Sequence, residues 1–222
     1  MKILIWGGSS FTRVSLQMLK DLYKDSFQIN GIFDNFISKL TFKSDIKFYN
    51  NKKNLNDLIK NSTHYLLCVG AEHGYKRVMI ANKLNSFGLK PISLISKNSI
   101  LEDLDYKGQG IVSMPGAIVN KYSYIGNHVI LNTNCSVDHE CKIQDGVHIM
   151  GGATVAGRVI IGKYSSIGSN ATILPDVKIG ENVYIGAGSV VTKDIKNNSV
   201  IVGVPGKFLR EFKPELNLSI FD

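Results

Sequence analysis

The stretch Ile118–Ile195, IVNKYSYIGNHVILNTNCSVDHECKIQDGVHIMGGATVAGRVIIGKYSSIGSNATILPDVKIGENVYIGAGSVVTKDI, decides the fold. Every sixth residue from 119 is aliphatic: Val119, Ile125, Leu131, Val137, Ile143, Ile149, Val155, Ile161, Ile167, Ile173, Ile179, Ile185 and Val191. That is thirteen positions without a miss or an insertion. Two residues before each runs a second column of small or aliphatic residues, from Ala117 and Ser123 through Cys135 and Cys141 to Ser189 and Ile195. A period of six is neither the 3.6 of a helix nor the 2 of a simple strand. Its physical reading is a coil with three flat sides, one hexad per side. The aliphatic residue fills the interior, the small residue sits near the corner, and Gly or Asn tolerates the turning backbone. Stacked coils hydrogen-bond along the axis and share one apolar core. The sequence therefore predicts a left-handed parallel β-helix of about four coils.

Upstream the pattern changes. KILIW (residues 2–6) is an apolar run followed by GGSS and a helical stretch, Arg13 to Leu22. Ile29 to Phe33 ends in Asp34, and Tyr65 to Val69 ends in Gly70 before a second helical stretch, Tyr75 to Ser86. Leu89 to Ile95 reads as a fourth strand, demoted towards an edge by Pro91. Strands alternating with helices predict a small parallel α/β domain, Rossmann-like, over residues 1–100, with the β-helix and its tail over 101–222. Beyond the hexads, LREF suggests a short terminal helix, and PELNLSIFD has no clear pattern.

Composition narrows the function classes. Three cysteines with no CxxC pair argue against a disulfide framework and for a reducing, cytoplasmic setting. The apolar run at the start is too short for a signal-peptide core or a membrane span, so no membrane insertion is expected. Net charge is +8, and it sits in the first half: residues 1–100 hold 15 Lys/Arg against 6 Asp/Glu. The lysines are scattered, without the runs of a nucleic-acid patch. A phosphorylated small molecule fits that surplus, as does a Lys-rich host composition.

The hexads, the IVGVPGK tail (residues 201–207) and the α/β unit in front together resemble one family, the hexapeptide-repeat sugar acyltransferases with an N-terminal nucleotide-sugar-binding domain. These include the N-acetyltransferases of bacillosamine and perosamine synthesis and the sialic acid O-acetyltransferase-like proteins. The most specific stretch, Leu131 to Gly162, carries the pattern N-T-x-x-x-V-x-H-[ED]-C with a second His nine residues after the first. The resemblance implies that His139 is a general base and Glu140 its modulator. Spacing alone reads the pair as a solvated corner histidine beside a surface glutamate. The resemblance also places His148 beside the thioester or pantetheine of acetyl-CoA, with Gly157, Ser169 and Ala187 lining the groove for that donor. Many relatives carry Gly where Ala187 stands. No metal is expected, because the spacing supplies no His set.

The family's Gly-rich turn usually ends in Gly-His-Gly before the first helix. Here Gly7, Ser9 and Ser10 fit a phosphate approaching the helix N-terminus. Phe11 and Thr12 stand where the last two residues of that turn usually are, which leaves the detail of the sugar or diphosphate contact open. Asp34 and Asn35 stand where the family reads the nucleotide base, and Gly70 where the chain approaches the nucleotide. The resemblance thus implies N-acetylation of a nucleotide-linked 4-amino-4,6-dideoxy sugar for surface glycans, by a homotrimer with acetyl-CoA between subunits. Two alternatives stay open: sugar O-acetylation, and a β-helix scaffold without catalysis.

Overall fold

The computed structural model describes residues 1–221 and falls into two compact units. The first comprises Met1–Val69, Met79–Leu94 and the tail from Glu215; the second comprises Gly70–Val78 and Ile95–Pro214. The tail is thus part of the first unit. The sequence, which offers no period there, groups it with the repeats.

The first unit is a five-stranded parallel sheet with helices between strands. Its elements are β1 (Lys2–Trp6), α1 (Ser10–Tyr23), β2 (Gln28–Phe33), β3 (Phe48–Tyr49), α2 (Lys52–Asn61), β4 (His64–Leu67), the part of α3 (Gly74–Ser86) from Met79 onwards, and β5 (Lys90–Pro91). The strand order is β3-β2-β1-β4-β5. The order reverses at β1, so the crevice beyond the carboxyl ends of β1 and β4 lies at a topological switch point. Ile3, Leu4 and Ile5 are fully buried, as a strand covered on both faces requires. The tail, which ends in a 3-10 turn at Ser219–Phe221, is held by aromatics: Phe221 stacks on Trp6 with ring centroids 5.1 Å apart. Among the described residues no helix is long and apolar enough to cross a membrane.

The second unit is a parallel β-helix of two-residue strands in three sheets. From Ile100 to Val191 each strand pairs with one 18 residues away, as Ser136 pairs with Thr154 and Val137 with Val155, and at the end Tyr184–Ile185 pairs with Val200–Ile201. The first sheet runs through residues 100, 118, 136, 154, 172 and 190, the second through 106, 124, 142, 160 and 178, and the third through 94, 112, 130, 148, 166 and 184. All thirteen residues of the aliphatic column are at most 2% exposed. Each such side chain removed from water contributes roughly 1.5–3 kcal/mol, so the column is the main source of the unit's stability.

Three details differ from the sequence reading. The coil starts earlier, at Leu94–Ile95, because Lys107 and Ser113 keep the period without keeping the aliphatic character and so separate Leu101 from the column that follows. Leu89–Ile95 is therefore two strands, Lys90–Pro91 closing the α/β sheet and Leu94–Ile95 opening the coil. The segment around LREF is an exposed strand, Lys207–Glu211, antiparallel to Ser199–Val202, and not a helix. At the corners the left-handed residue is the third after the inward one. That place holds Gly146, Gly152 and Asn170, but also His128, Glu140, Arg158, Tyr164 and Asp176. The fold thus puts side chains of chemical interest on unfavourable backbone.

Candidate functional site

The corner that joins Ser136–Val137 to Lys142–Ile143 carries the histidine pair. His139 follows the inward Val137 by two residues and is turned outwards, its side chain 44% exposed. Its Nδ1 lies 2.8 Å from Glu140 Oε2. A carboxylate oxygen only accepts, so Nδ1 carries the hydrogen and Nε2 the lone pair of the neutral ring. The corner is tied down by Asp138, whose Oδ1 accepts from His139 N at 2.8 Å and from Asn120 Nδ2 at 2.9 Å. Those bonds, the Asn120 amide first, hold the Asp138 carboxyl below its ordinary range.

Gly157 lies one coil on, and it is where the ring rests. A Cβ built there would stand 2.7 Å from His139 Nε2 and 2.9 Å from Cε1. The absence of a side chain at 157 therefore gives the imidazole its place. Sequence reasoning assigns Gly157 to acyl-donor contact; the structure brings it against the histidine. Below Glu140 at the same corner come Arg158 and Asp176, spaced by 18 residues. Arg158 Nε and Nη2 donate to the two Asp176 oxygens at 2.7 and 2.8 Å. Reading the sequence at period 18 from Glu140 would find both.

Ser169 and Ala187 stand at a different corner, the one joining the third sheet to the first. Gly188 N donates to Ser169 O at 2.9 Å, so these two positions stack one coil apart, and both side chains are exposed. With Gly151 above them they form a column of small residues. His148 is on the third sheet, on its outer surface, yet only 5% exposed, because the segment Gly70–Val78 lies across it. Its Nδ1 donates to Ala71 O at 3.2 Å, and its Nε2 lies 3.4 Å from Asn132 Nδ2. Burial, reinforced by the nearby Arg77 charge, pushes its pKa down to about 3, so this imidazole is neutral. Arg77 is 1% exposed and fastens the segment to the coil, donating to His128 O at 2.9 Å and Gly146 O at 2.7 Å. Nothing in the hexad pattern signals this strap, since its partners are backbone carbonyls. Within one chain, then, His139, Glu140 and Gly157 meet at one corner, while His148 and the Ser169–Ala187 column occupy other parts of the prism.

The Gly-rich turn of the first unit is built from Gly7 to Phe11. Gly7 adopts a φ of +116° and packs against the Cys68 carbonyl, where a Cβ would come within 2.6 Å. Thr12 Oγ1 donates to Gly7 O at 2.7 Å. Ser9 precedes α1 in extended backbone without a side-chain cap, and Ser9 and Ser10 are exposed while Phe11 is half-buried. Asp34 ends β2, but its oxygens serve the fold: Oδ2 accepts from Gly8 N and Oδ1 from Phe36 N, both at 2.9 Å. Asn35 Oδ1 is buried without a hydrogen-bond partner. Gly70 belongs to the second unit, where its carbonyl accepts from His73 N. No group of three or more His, Cys, Asp or Glu side chains that could hold a metal ion occurs among the described residues.

A coil of hexads with outward polar residues at its corners defines the class. Residues 140–175 and 158–193 match the family described as bacterial transferase hexapeptide (six repeats), and the chain resembles the hexapeptide-repeat sugar acyltransferases. Particular relatives follow. The GDP-perosamine N-acetyltransferase of Escherichia coli O157:H7 is 30% identical over 127 residues, 57% of this chain and 49% of that protein, so the match spans about half the length of this curated relative. Perosamine N-acetyltransferase from Caulobacter crescentus, solved as a His-to-Asn mutant with CoA and GDP-perosamine, superposes with a TM-score of 0.82 at 22% identity, covering 95% of this chain and 98% of that one. That likeness establishes the shared fold. The acetyltransferase domain of PglB from Neisseria gonorrhoeae FA1090, in complex with acetyl coenzyme A, is 26% identical with a TM-score of 0.79, covering 94% and 98%.

Proposed function

We propose that this protein transfers the acetyl group of acetyl-CoA to the amino group of a nucleotide-linked 4-amino-4,6-dideoxy sugar. The observation that carries the reading is the His139–Glu140 pair: the hydrogen on Nδ1 is held by a carboxylate at 2.8 Å, and the basic Nε2 lies over the bare Cα of Gly157. The amine nitrogen attacks the thioester carbonyl, its proton passes to His139 Nε2, and a C–N bond forms. The tetrahedral intermediate then expels the CoA sulfur as the C–S bond breaks, and the imidazolium returns the proton to the thiolate. Glu140 stabilises the imidazolium while it exists and fixes the tautomer that leaves Nε2 as acceptor.

The donor arm suits the column of Gly151, Ser169 and Ala187, whose small side chains leave room for a narrow pantetheine chain. His148, neutral and oriented by Ala71 and Asn132, is suited to a polar contact near the thioester. Because these groups sit away from the His139 corner in one chain, the reading calls for a homotrimer that sets one subunit's histidine against another's donor column. The coil is taken as left-handed, as the resemblance implies. The α/β unit is read as a Rossmann-like nucleotide-sugar domain. Its support is the switch point beyond β1 and β4, the turn Gly7–Ser10 at the start of α1, and the basic surplus of residues 1–100. Phe11, Asp34 and Asn35 border that region; Asp34 acts by shaping the turn through Gly8, and Asn35 offers the unfilled acceptor. The substrate and the reduced cysteines both fit a cytoplasmic enzyme.

The test is a screen of GDP-, UDP- and dTDP-linked 4-amino-4,6-dideoxy sugars with acetyl-CoA, following free thiol. His139→Ala is expected to keep its circular dichroism and lose roughly 10²–10⁴ in turnover, the range for a positioned general base. A folded His139→Ala protein that acetylates at the normal rate removes the base and the mechanism with it.

A further inference from the structure

Glu140, Arg158 and Asp176 stack along one corner, each in left-handed backbone, with φ of 57°, 60° and 66°. The ladder is in register: Arg158 N donates to His139 O at 3.0 Å and Asp176 N to Gly157 O at 3.1 Å. Successive coils are about 4.8 Å apart. One guanidinium thus stands a single coil from each of two carboxylates. It gives both nitrogens of its fork to Asp176, and Glu140 is left to His139. Two-pronged pairing of Arg with a carboxylate is the stronger and more directional choice, so Asp176 outcompetes Glu140 for it. The other charges at this corner are also committed. Lys121, whose carbonyl accepts from Glu140 N, pairs with Asp103 at 3.2 Å. Asp138 is taken by His139 N and Asn120. The Cys141 thiol turns inwards to Ala156 O.

We propose that Asp176 is a positioning residue for the acetyl transfer: it holds the Arg158 guanidinium off Glu140, so that Glu140 stays on His139 Nδ1 and Nε2 stays the proton acceptor. The proposal rests on His139 serving as the base. If Asp176 loses its charge, the guanidinium takes the remaining carboxylate one coil away. Glu140 then gives up its hydrogen bond, and the imidazole tautomer that puts its hydrogen on Nε2 becomes populated. That tautomer cannot accept the amine's proton.

Asp176→Asn suits the test, because Asn tolerates left-handed backbone and nearly matches Asp in shape. Two readouts apply. In long-range proton–nitrogen spectra of the free protein, at a pH where the ring is neutral, His139 of the wild type is hydrogenated on Nδ1; Asp176→Asn is expected to move a substantial share to Nε2. In turnover, kcat is expected to fall about 3–10-fold with KM for both substrates within twofold, a fraction of a general base's whole effect. The double variant Asp176→Asn/Arg158→Asn, which removes the competing cation, is expected to return both the tautomer and kcat to wild-type values. An unchanged tautomer in Asp176→Asn, or a double variant that fails to restore it, overturns the proposal. Should His139→Ala prove fully active, the acetyl-transfer reading falls separately, and the spectra alone decide what Asp176 does to the ring.

Discussion

Replacing Gly157 by alanine separates a packing glycine from one that seats a base. The added methyl would stand 2.7 Å from His139 Nε2, where ordinary contact begins at 3.4 Å, so the ring must withdraw by at least the difference, 0.7 Å. Nothing blocks that withdrawal, since the ring is half-exposed at a corner, and Gly157 does not use the left-handed region that would forbid a Cβ. The fold should therefore be unharmed, and the lower entropy of the unfolded chain should add about 0.4–1 kcal/mol. Catalysis has no such freedom. A displacement approaching 1 Å at a reacting group costs on the order of 10²-fold, about 2.7 kcal/mol of barrier. Thiol release and thermal melting together decide the matter: kcat should fall about 100-fold, KM for acetyl-CoA should change little, and the melting temperature should hold or rise. A Gly157→Ala protein with normal kcat would refute the seating argument. A rise in KM for acetyl-CoA at normal kcat would return Gly157 to the donor groove.

Further predictions concern the scaffold and the assembly. At Gly162 a Cβ would meet the Gly180 carbonyl carbon at 2.5 Å, and backbone cannot yield as a side chain does, so Gly162→Ala should lower stability by about 1–3 kcal/mol in urea titrations, in contrast to Gly157→Ala. Burial holds His148 near 3 and His128 near 4, against about 6.5 in the unfolded chain. Both are neutral in both states above pH 6.5; on acidification the unfolded chain binds up to two protons that the native chain refuses, and unfolding free energy should fall by up to about 2.7 kcal/mol per pH unit, with His148→Gln halving the slope between pH 6 and 5. Ala187→Trp should fill the donor column of its own subunit, and His139→Ala removes the base. If each site is built by two subunits of a closed ring, co-expressing the two dead variants should restore about a quarter of wild-type activity, and a site contained in one chain should give none.

The coil was legible because its interior admits one kind of residue at one period, and burial enforces that rule through thirteen hexads. It became illegible where the interior is less apolar. Ser113 occupies an inward position, fully buried with its hydroxyl unpartnered, and a column that ends Leu101, Lys107, Ser113 does not announce a coil. Corners were harder for a different reason. Left-handed backbone favours Gly and Asn on energetic grounds, so a reading that expects only those residues there passes over Arg158 and Asp176. The pairing of His139 with Glu140 came from a motif, and the structure supplied what a motif lacks: which ring nitrogen is held, what lies under the other, and which neighbour could disturb both. The strap over His148 was out of reach, because the acceptors that bury Arg77 are backbone carbonyls, which carry no residue signature, and they lie in hexads more than fifty residues downstream.

A regular prism imposes a constraint on any chemistry it carries. Residues 18 apart stack at one corner and can be tuned against one another, as Glu140, Arg158 and Asp176 are; residues at different corners of a coil are kept apart by a core of fixed width. The proposed base, His139, sits at the first kind of place, with Glu140 beside it and Gly157 one coil away. The small-residue column occupies another corner, and no rearrangement short of unfolding the core would carry one corner to the other. Two such groups can act on one acyl carbon only if a second copy presents its corner to the first. The proposed homotrimer would then be part of the mechanism and not an accident of solubility, and the strict aliphatic column would fix the geometry at which two subunits meet.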